Sequence, residues 1–210
     1  MHKINYLIFN QQKVVKRLFD IVFSATALLV FSPFFVVICI LILFSGKGGV
    51  FFRQLRVGRN NQDFRIFKFR TMKPDADKSG LLTVGMKDNR ITKVGYYLRK
   101  FKMDEVPQLI NVFIGEMSVV GPRPEVRKYV NMYTPEQMKV LSVRPGITDF
   151  ASLKYFNENE VLGKSANPEK TYIEEVMVEK LTINMEYISN PSLFIDLKVI
   201  AKTIFRIFGF

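Results

Sequence analysis

The sequence predicts an α+β fold: a mostly helical, membrane-associated domain with a short β element. Three observations carry this. An uncharged run over 21–44 is interrupted by Ser32-Pro33, one stretch at 64–72 is rich in β-formers, and the last residues read as an amphipathic helix. They divide the 210 residues into an N-terminal hydrophobic region over 1–50, a polar domain over 51–192 and an interfacial helix over 193–210. The formal charge of +12, from 31 basic and 19 acidic residues, attracts anions: nucleic acid, anionic lipid or phosphorylated small molecules. A lone cysteine, Cys39, excludes an internal disulfide and a thiolate metal cluster, which fits a reducing compartment. His2 is the one histidine, so the usual catalytic base is nearly absent, and tryptophan is missing altogether.

The run "IVFSATALLVFSPFFVVICILILF" would extend about 36 Å as a straight helix, enough to cross about 30 Å of hydrocarbon. It is long for a cleaved signal peptide, and no small-residue cleavage site follows it. Pro33 removes a backbone donor and predicts a kink, leaving two arms of roughly 16 Å. The Ser32 hydroxyl is the natural partner for a backbone group freed there. Lys13, Lys16 and Arg17 precede the run, and Lys47, Arg53, Arg56 and Arg59 follow it. Basic flanks prefer the cytoplasmic side, and here neither yields. Residues alone leave a re-entrant hairpin and a kinked span both open. Asp20, three residues from Arg17, suggests an interfacial ion pair.

"FRIFKFRTM" (64–72) predicts a strand with Lys68 and Arg70 on one face, followed by a loop at 73–80. "ITKVGYYLRKF" (91–101) predicts a helix capped by Thr92. "DEVPQLINVFI" starts the next, with Pro107 early and Gly115 as its stop. "VVGPRPE" (119–125) and "VRPGITDF" (143–150) are rigid turns that present Arg123 and Arg144. At the C-terminus, Lys198, Lys202 and Arg206 form a basic stripe beside Leu193, Leu197, Ile200, Ile204 and Phe208. That pattern suits a helix in the headgroup region, and equally a core helix with snorkelling lysines.

Lys68, Arg70, Arg99, Arg123 and Arg144 together suggest binding of substrate phosphates, because arginine grips phosphate when rigidly aimed. They do not form the basic face interleaved with exposed aromatics expected of a nucleic-acid binder. Asp104 and Glu105 begin a helix, where an acid is most often a cap or dipole partner. In this cationic setting a carboxylate can instead attack phosphorus or hold Mg²⁺. Arg99, five residues before Asp104, is placed to lower its pKa or hold a phosphoryl oxygen.

The motifs "KRLFDIV…SP", "FFRQLRVGRNNQDFRIFKFRTM", "DNRITKVGYYLRKFKMDEVPQLINVFIGEMSVVGPRPE" and "VRPGIT" closely resemble the bacterial sugar transferases of capsule, exopolysaccharide, O-antigen and glycoprotein assembly, the monotopic phosphoglycosyl transferases. The likeness runs from about Lys16 to the C-terminus and has the length of the minimal, single-module members. It implies an enzyme that moves a sugar 1-phosphate from a UDP-sugar to polyprenol (undecaprenyl) phosphate and releases UMP. Asp104 would be the nucleophile in a two-step reaction through a covalent phosphosugar. Glu105 would assist as a Mg²⁺ ligand, with Asp104 beside it. The resemblance also decides for a hairpin that breaks at Ser32-Pro33, with 51–192 as the catalytic domain. The protein would then sit monotopically on the cytoplasmic face of the bacterial inner membrane among anionic lipids. By family analogy the donor is an N-acetylated UDP-hexosamine. No nucleic acid is implied, and a homodimer is left open.

The chain departs from the family at "PGITDFAS" (145–152), at "INMEY" (183–187) and in an insert-like stretch over 154–177. Asp149, Asn184 and Glu158, with Glu160, are therefore expected to shape the sugar or nucleobase pocket. Two other readings stand beside the enzyme. A non-catalytic binder of anionic lipid or nucleic acid explains the charge but gives Asp104-Glu105 no task. A scaffold subunit that has lost catalysis sits poorly with an intact acidic pair. Within the enzyme, direct transfer with Asp104 as base also stays open.

Overall fold

A computed structural model describes residues 2–74, 76 and 88–209; most of the loop expected over 73–80 lies outside them. The longest element is α1 (His2–Phe44), one helix that continues through Pro33. Pro33 has no N–H to give to the carbonyl of Leu29, and the Ser32 hydroxyl donates to that oxygen instead, at 2.7 Å. The middle of α1 is exposed and apolar, with Leu29, Val30, Phe31 and Phe34 all facing outward. It is the one described helix long and apolar enough to cross a membrane.

The arms on either side of that apolar middle pack on the same polar domain. In the first, Asp20 is buried, and its Oδ1 accepts from the Ser118 hydroxyl and the Val119 amide at 3.0 and 2.9 Å. Arg17 donates to the carbonyls of Val112 and Phe113, at 2.7 and 2.9 Å. The ion pair expected between Arg17 and Asp20 is thus replaced by two separate anchors. The uncapped carbonyls of one helix take the cation, and an edge amide takes the anion. In the second arm, Ile38 and Ile42 are buried with Phe69 and Leu98, and Phe35 packs edge-on to Phe69 with ring centroids 5.4 Å apart.

β1 (Phe51–Val57) and β2 (Asp63–Phe69) form an antiparallel hairpin with Phe51 opposite Phe69 and Val57 opposite Asp63. Its turn places Asn60 and Asn61 at φ 57° and 61°, a region asparagine tolerates better than most residues. α2 (Lys93–Lys100) follows, with the Thr92 hydroxyl capping it at Gly95 N, 2.9 Å away, as the sequence predicts. A Cβ at Gly95 would lie 2.0 Å from the Thr71 carbonyl, so only glycine lets α2 approach the end of β2. α3 (Gln108–Ile114) is entered at Pro107 and ends on Gly115 at φ 96°, the expected stop.

Beyond α3, β3 (Ser118–Val120) and β4 (Gly146–Thr148) pair in parallel, which brings the two proline-glycine turns together. A Cβ on Gly146 would sit 2.1 Å from Gly121 N, and one on Gly121 would sit 2.6 Å from the Arg144 carbonyl. Glycine at both positions is what allows the turns to touch. Short helices α4 (Arg127–Val130), α5 (Phe150–Lys154), α6 (Glu158–Gly163) and α7 (Pro168–Thr171) lead into α8 (Met177–Ser189). They enclose a core of Val126, Tyr129, Leu162, Tyr172 and Leu181.

α9 (Leu193–Phe208) closes the chain. Asp196 and Val199 are buried on its inner side, and Asp196 accepts from Lys16 and from the Tyr187 hydroxyl, both at 2.6 Å. The Thr203 hydroxyl meets that of Thr148 at 2.7 Å. Phe194, Leu197, Ile204, Phe205 and Phe208 stay exposed, which excludes a fully buried core helix and leaves an apolar face outward. The fold is mostly helical with two small sheets and one long helix whose apolar middle is exposed.

Candidate active site

Asp104 and Glu105 lie on a single 3-10 turn (Met103–Glu105) just before α3, not in the first turn of α3 itself. The chain reaches that turn through Lys102, which has φ 55°. A lysine in the left-handed region is uncommon, and strain of this kind gathers at functional sites. β2 supplies Lys68 from one side, and the turn after β3 supplies Arg123 from the other.

Those two cations close on Glu105. Its Oε1 accepts from Lys68 Nζ at 2.8 Å and from Arg123 Nη2; its Oε2 accepts from Arg123 Nη1 at 3.1 Å. Burial alone would raise the Glu105 pKa, but Arg123 and Lys68 outweigh it and hold the carboxyl well below its ordinary value. Asp104 differs. It is 8% exposed and has no hydrogen-bond partner among the described residues. Burial and the adjacent Glu105 charge raise its pKa, while Lys68, Arg99 and Lys102 pull it back. Arg99 Nε is fixed by the Thr71 hydroxyl at 2.9 Å, and the guanidinium is close enough for the charges of Asp104 and Glu105 to act on it. Four cations act on two carboxylates, which leaves an excess of positive charge suited to a phosphate-rich ligand.

The structure therefore gathers Lys68, Arg99 and Arg123 around the pair, but not Arg70 or Arg144. Arg70 donates to the carbonyls of Ile42, Gly46 and Lys47 at 2.9, 2.8 and 2.5 Å, and so caps the C-terminus of α1. Arg144 Nε donates to Gly115 O at 2.8 Å, at the far end of α3. Both helix ends have carbonyls without intrahelical partners, and those acceptors claim the two guanidiniums.

The residues expected to set specificity occupy two kinds of place. Asp149 is buried and caps α5 at Ser152 N, while its Oδ2 accepts from the Arg123 amide at 2.8 Å. Both its oxygens serve the fold, and they fix the turn that carries Arg123. Asn184 is buried in the wall of a cavity of about 40 Å³ that Arg123, Glu125, Tyr172 and Lys180 also line. Its Oδ1 has no hydrogen-bond partner among the described residues. Glu158 reaches the same place indirectly, through a 2.6 Å ion pair with Lys180.

Sequence reasoning missed two supports. Asn111, fully buried on α3, accepts from Phe67 N and donates to Arg65 O, both at 2.9 Å. This locks the strand carrying Lys68 to the helix behind the acidic pair. A polar residue amid "QLINVFI" was the available signal. Arg56 and the Tyr172 hydroxyl both bind Glu125, a network behind Arg123 with no local sequence signal because its members lie far apart.

For Mg²⁺, the donor set is small but consistent. Asp104 is unengaged, and Glu105 Oε2 keeps a lone pair beyond its bond to Arg123. Mg²⁺ is commonly held by one or two carboxylates plus substrate phosphates, and no cluster of three or more acidic, histidine or cysteine ligands exists among the described residues.

The sequence matches the family described as "Bacterial sugar transferase" over residues 11–209. It is 38% identical over 193 residues to a UDP-N-acetylgalactosamine-undecaprenyl-phosphate N-acetylgalactosaminephosphotransferase of Aeromonas hydrophila, covering 90% of this chain and 43% of the relative. It is 37% identical to the exopolysaccharide production protein ExoY of Rhizobium meliloti, covering 91% and 84%. A UDP-glucose:undecaprenyl-phosphate glucose-1-phosphate transferase of Klebsiella pneumoniae shares 35%, over 92% and 40%. The chain thus spans less than half of the Aeromonas and Klebsiella proteins and most of the rhizobial one. On the extent of this match, the chain belongs to the bacterial sugar transferase family.

Proposed function

We propose that this protein transfers a sugar 1-phosphate from a UDP-sugar to polyprenol (undecaprenyl) phosphate, an opening membrane step of bacterial glycoconjugate synthesis. One observation carries the reading: Asp104, a buried carboxylate without a hydrogen-bond partner, faces Lys68, Arg99 and Lys102 beside an acidic neighbour already neutralised by two cations. An Asp104 oxygen attacks the sugar-proximal phosphorus as the bond from that phosphorus to UMP breaks, and UMP leaves. An oxygen of the lipid phosphate then attacks the same phosphorus, and the carboxylate leaves. Arg99, Lys68 and Arg123 bind and orient the diphosphate, stabilising charge that moves onto the leaving phosphate. Glu105 keeps Lys68 and Arg123 aimed. Asp104 and Glu105 would hold Mg²⁺ with the donor phosphates, and the ion would neutralise charge as one anion approaches another.

Membrane placement follows the same logic. Both arms of α1 rest on one charged domain, which cannot lie on two sides of a bilayer. This supports an α1 that dips into the cytoplasmic leaflet and returns; α1 is helical through Pro33, so the turn would be a bend at Ser32-Pro33 and not a break in the helix. An N-acetylated hexosamine donor is favoured by the Aeromonas relative's name. Purified protein with Mg²⁺, polyprenol phosphate and a panel of UDP-sugars should release UMP with one donor, and Asp104→Asn should abolish it. Equal release by both proteins would return Asp104 to a structural role.

A further inference from the structure

Phe156, in the link between α5 and α6, carries a cation from each of two distant elements. Lys102 Nζ lies 5.0 Å from its ring centroid and the Arg206 guanidinium carbon 5.6 Å. The two cations are therefore no further apart than the sum of those distances. A phosphate hydrogen-bonded on opposite sides spans roughly 8 Å, which lies within that bound. Neither side chain has a hydrogen bond or salt bridge among the described residues, so two like charges are collected on one ring without an ion-pair partner within bonding distance.

Their positions give the pair its direction. Lys102 opens the turn that carries Asp104, and its charge acts on that carboxyl. Arg206 is on α9, which is pinned to the domain by Asp196, Val199 and Thr203. Beside Arg206, Ile204, Phe205 and Phe208 are 50%, 58% and 69% exposed, an apolar surface turned outward next to the cation. A ligand that fits must have an anionic head for the two cations and an apolar tail for α9. The donor's diphosphate has the charge but no apolar tail, and Lys68, Arg99 and Arg123 already serve it.

We propose that Lys102 and Arg206, held on Phe156, receive the phosphate head of the lipid acceptor and deliver it to the Asp104 turn. This rests on the phosphoglycosyl-transfer reading above and names the acceptor's subsite within it. Phe156 acts as the platform that keeps the two cations in register while their N–H groups turn to the phosphate.

The test uses the full chain in nanodiscs, measuring UMP release while a polyprenol phosphate and the UDP-sugar are varied separately. Lys102→Gln and Arg206→Gln should each raise the acceptor KM about tenfold, the scale of one charge-assisted contact, and Arg206→Gln, outside the group of cations that act on the acidic pair, should leave the donor KM within twofold. Lys102→Arg and Arg206→Lys should restore most of the affinity, and the unchanged donor KM of Arg206→Gln shows that this variant is folded. An unchanged acceptor KM, or donor and acceptor KM rising together in Arg206→Gln, would overturn the subsite. So would an Arg206→Gln effect present with phosphatidylglycerol and absent with phosphatidylcholine, since Arg206 would then serve bulk anionic lipid. Wild-type protein that releases no UMP on adding polyprenol phosphate would instead bring down the transfer reading itself.

Discussion

At the N-terminal end of α3, Arg123 and Lys68 hold a carboxylate; at its C-terminal end, Arg17 and Arg144 hold backbone carbonyls. The same side-chain chemistry does two jobs, and the acceptor decides which. A carboxylate that binds two cations holds both, part-buried, at a site where an incoming anion can meet them, while a helix terminus absorbs a guanidinium into the fold. Arg70 belongs with the second group, since it closes the end of α1. Removing groups from the first end should cost chemistry, and removing them from the second should cost stability.

The largest effect is expected at Asp104. Asp104→Asn should lower kcat by about a thousandfold or more, because an amide cannot take the place of the attacking carboxylate, while Lys68, Arg99 and Arg123 keep UDP-sugar binding measurable. Its pKa is raised by burial and by Glu105, so the charge itself disfavours folding at neutral pH. The variant should therefore melt at an equal or higher temperature than wild type. A melting point that falls with the activity would assign Asp104 to the fold.

Glu105→Ala comes next, and here both properties should suffer. The side chains involved are 14% to 34% exposed, so removing the carboxylate leaves Lys68 and Arg123 partly buried and repelling each other. About 3 kcal/mol of stability should be lost, read by denaturant unfolding in detergent, together with most of the activity. Retained stability would mean that water replaces the pairing freely. At the opposite end, Arg70→Ala and Arg17→Ala should each cost about 1–2 kcal/mol through lost carbonyl hydrogen bonds. In both, kcat/KM of the folded fraction should stay within about threefold of wild type. A hundredfold loss in Arg70→Ala would return it to the phosphate-binding set.

Much of this division was legible in the sequence, and its limits are physical. The cap at Thr92, the stop at Gly115 and the adjacency of Asp104 to Glu105 are local, and local signals survive without coordinates. Lys68 could be placed on a strand face by alternation alone. Arg70, two residues on, has the same local signature, yet its acceptors lie 23 to 28 residues away. Arg144 looked like Arg123 because both follow a valine-rich segment into a proline turn; the acceptor that separates them is Gly115 O against Glu105. Asp149 read as a departure that shapes the sugar or nucleobase pocket, whereas an aspartate three residues before Ser152 is also an N-cap pattern, and the side chain takes that role. Lys102 gave no warning, since lysine carries no preference for a positive φ.

The acidic pair allows a finer separation of chemistry from stability, through pH. Asp104 is raised above its ordinary value of 3.8, and Glu105 is held well below 4.5. A depressed carboxylate contributes stability that is present above its unfolded pKa and lost as pH falls through its folded pKa. A raised one behaves oppositely: its folded form takes up the proton first, and the penalty of its charge disappears on acidification. On lowering the pH, Asp104 therefore protonates before Glu105 releases Lys68 and Arg123. Activity should decline along an acid limb lying above pH 3.8, while the melting temperature holds or rises slightly over the same interval. Only further acidification, below pH 4.5 and through the depressed Glu105 value, should remove the pairing and lower the melting point. The two curves, kcat/KM and melting temperature against pH, should be offset, with Asp104→Asn abolishing the first and leaving the acid fall of the second in place. Coincident curves would mean that the pair titrates as one unit and that both ends of α3 are structural.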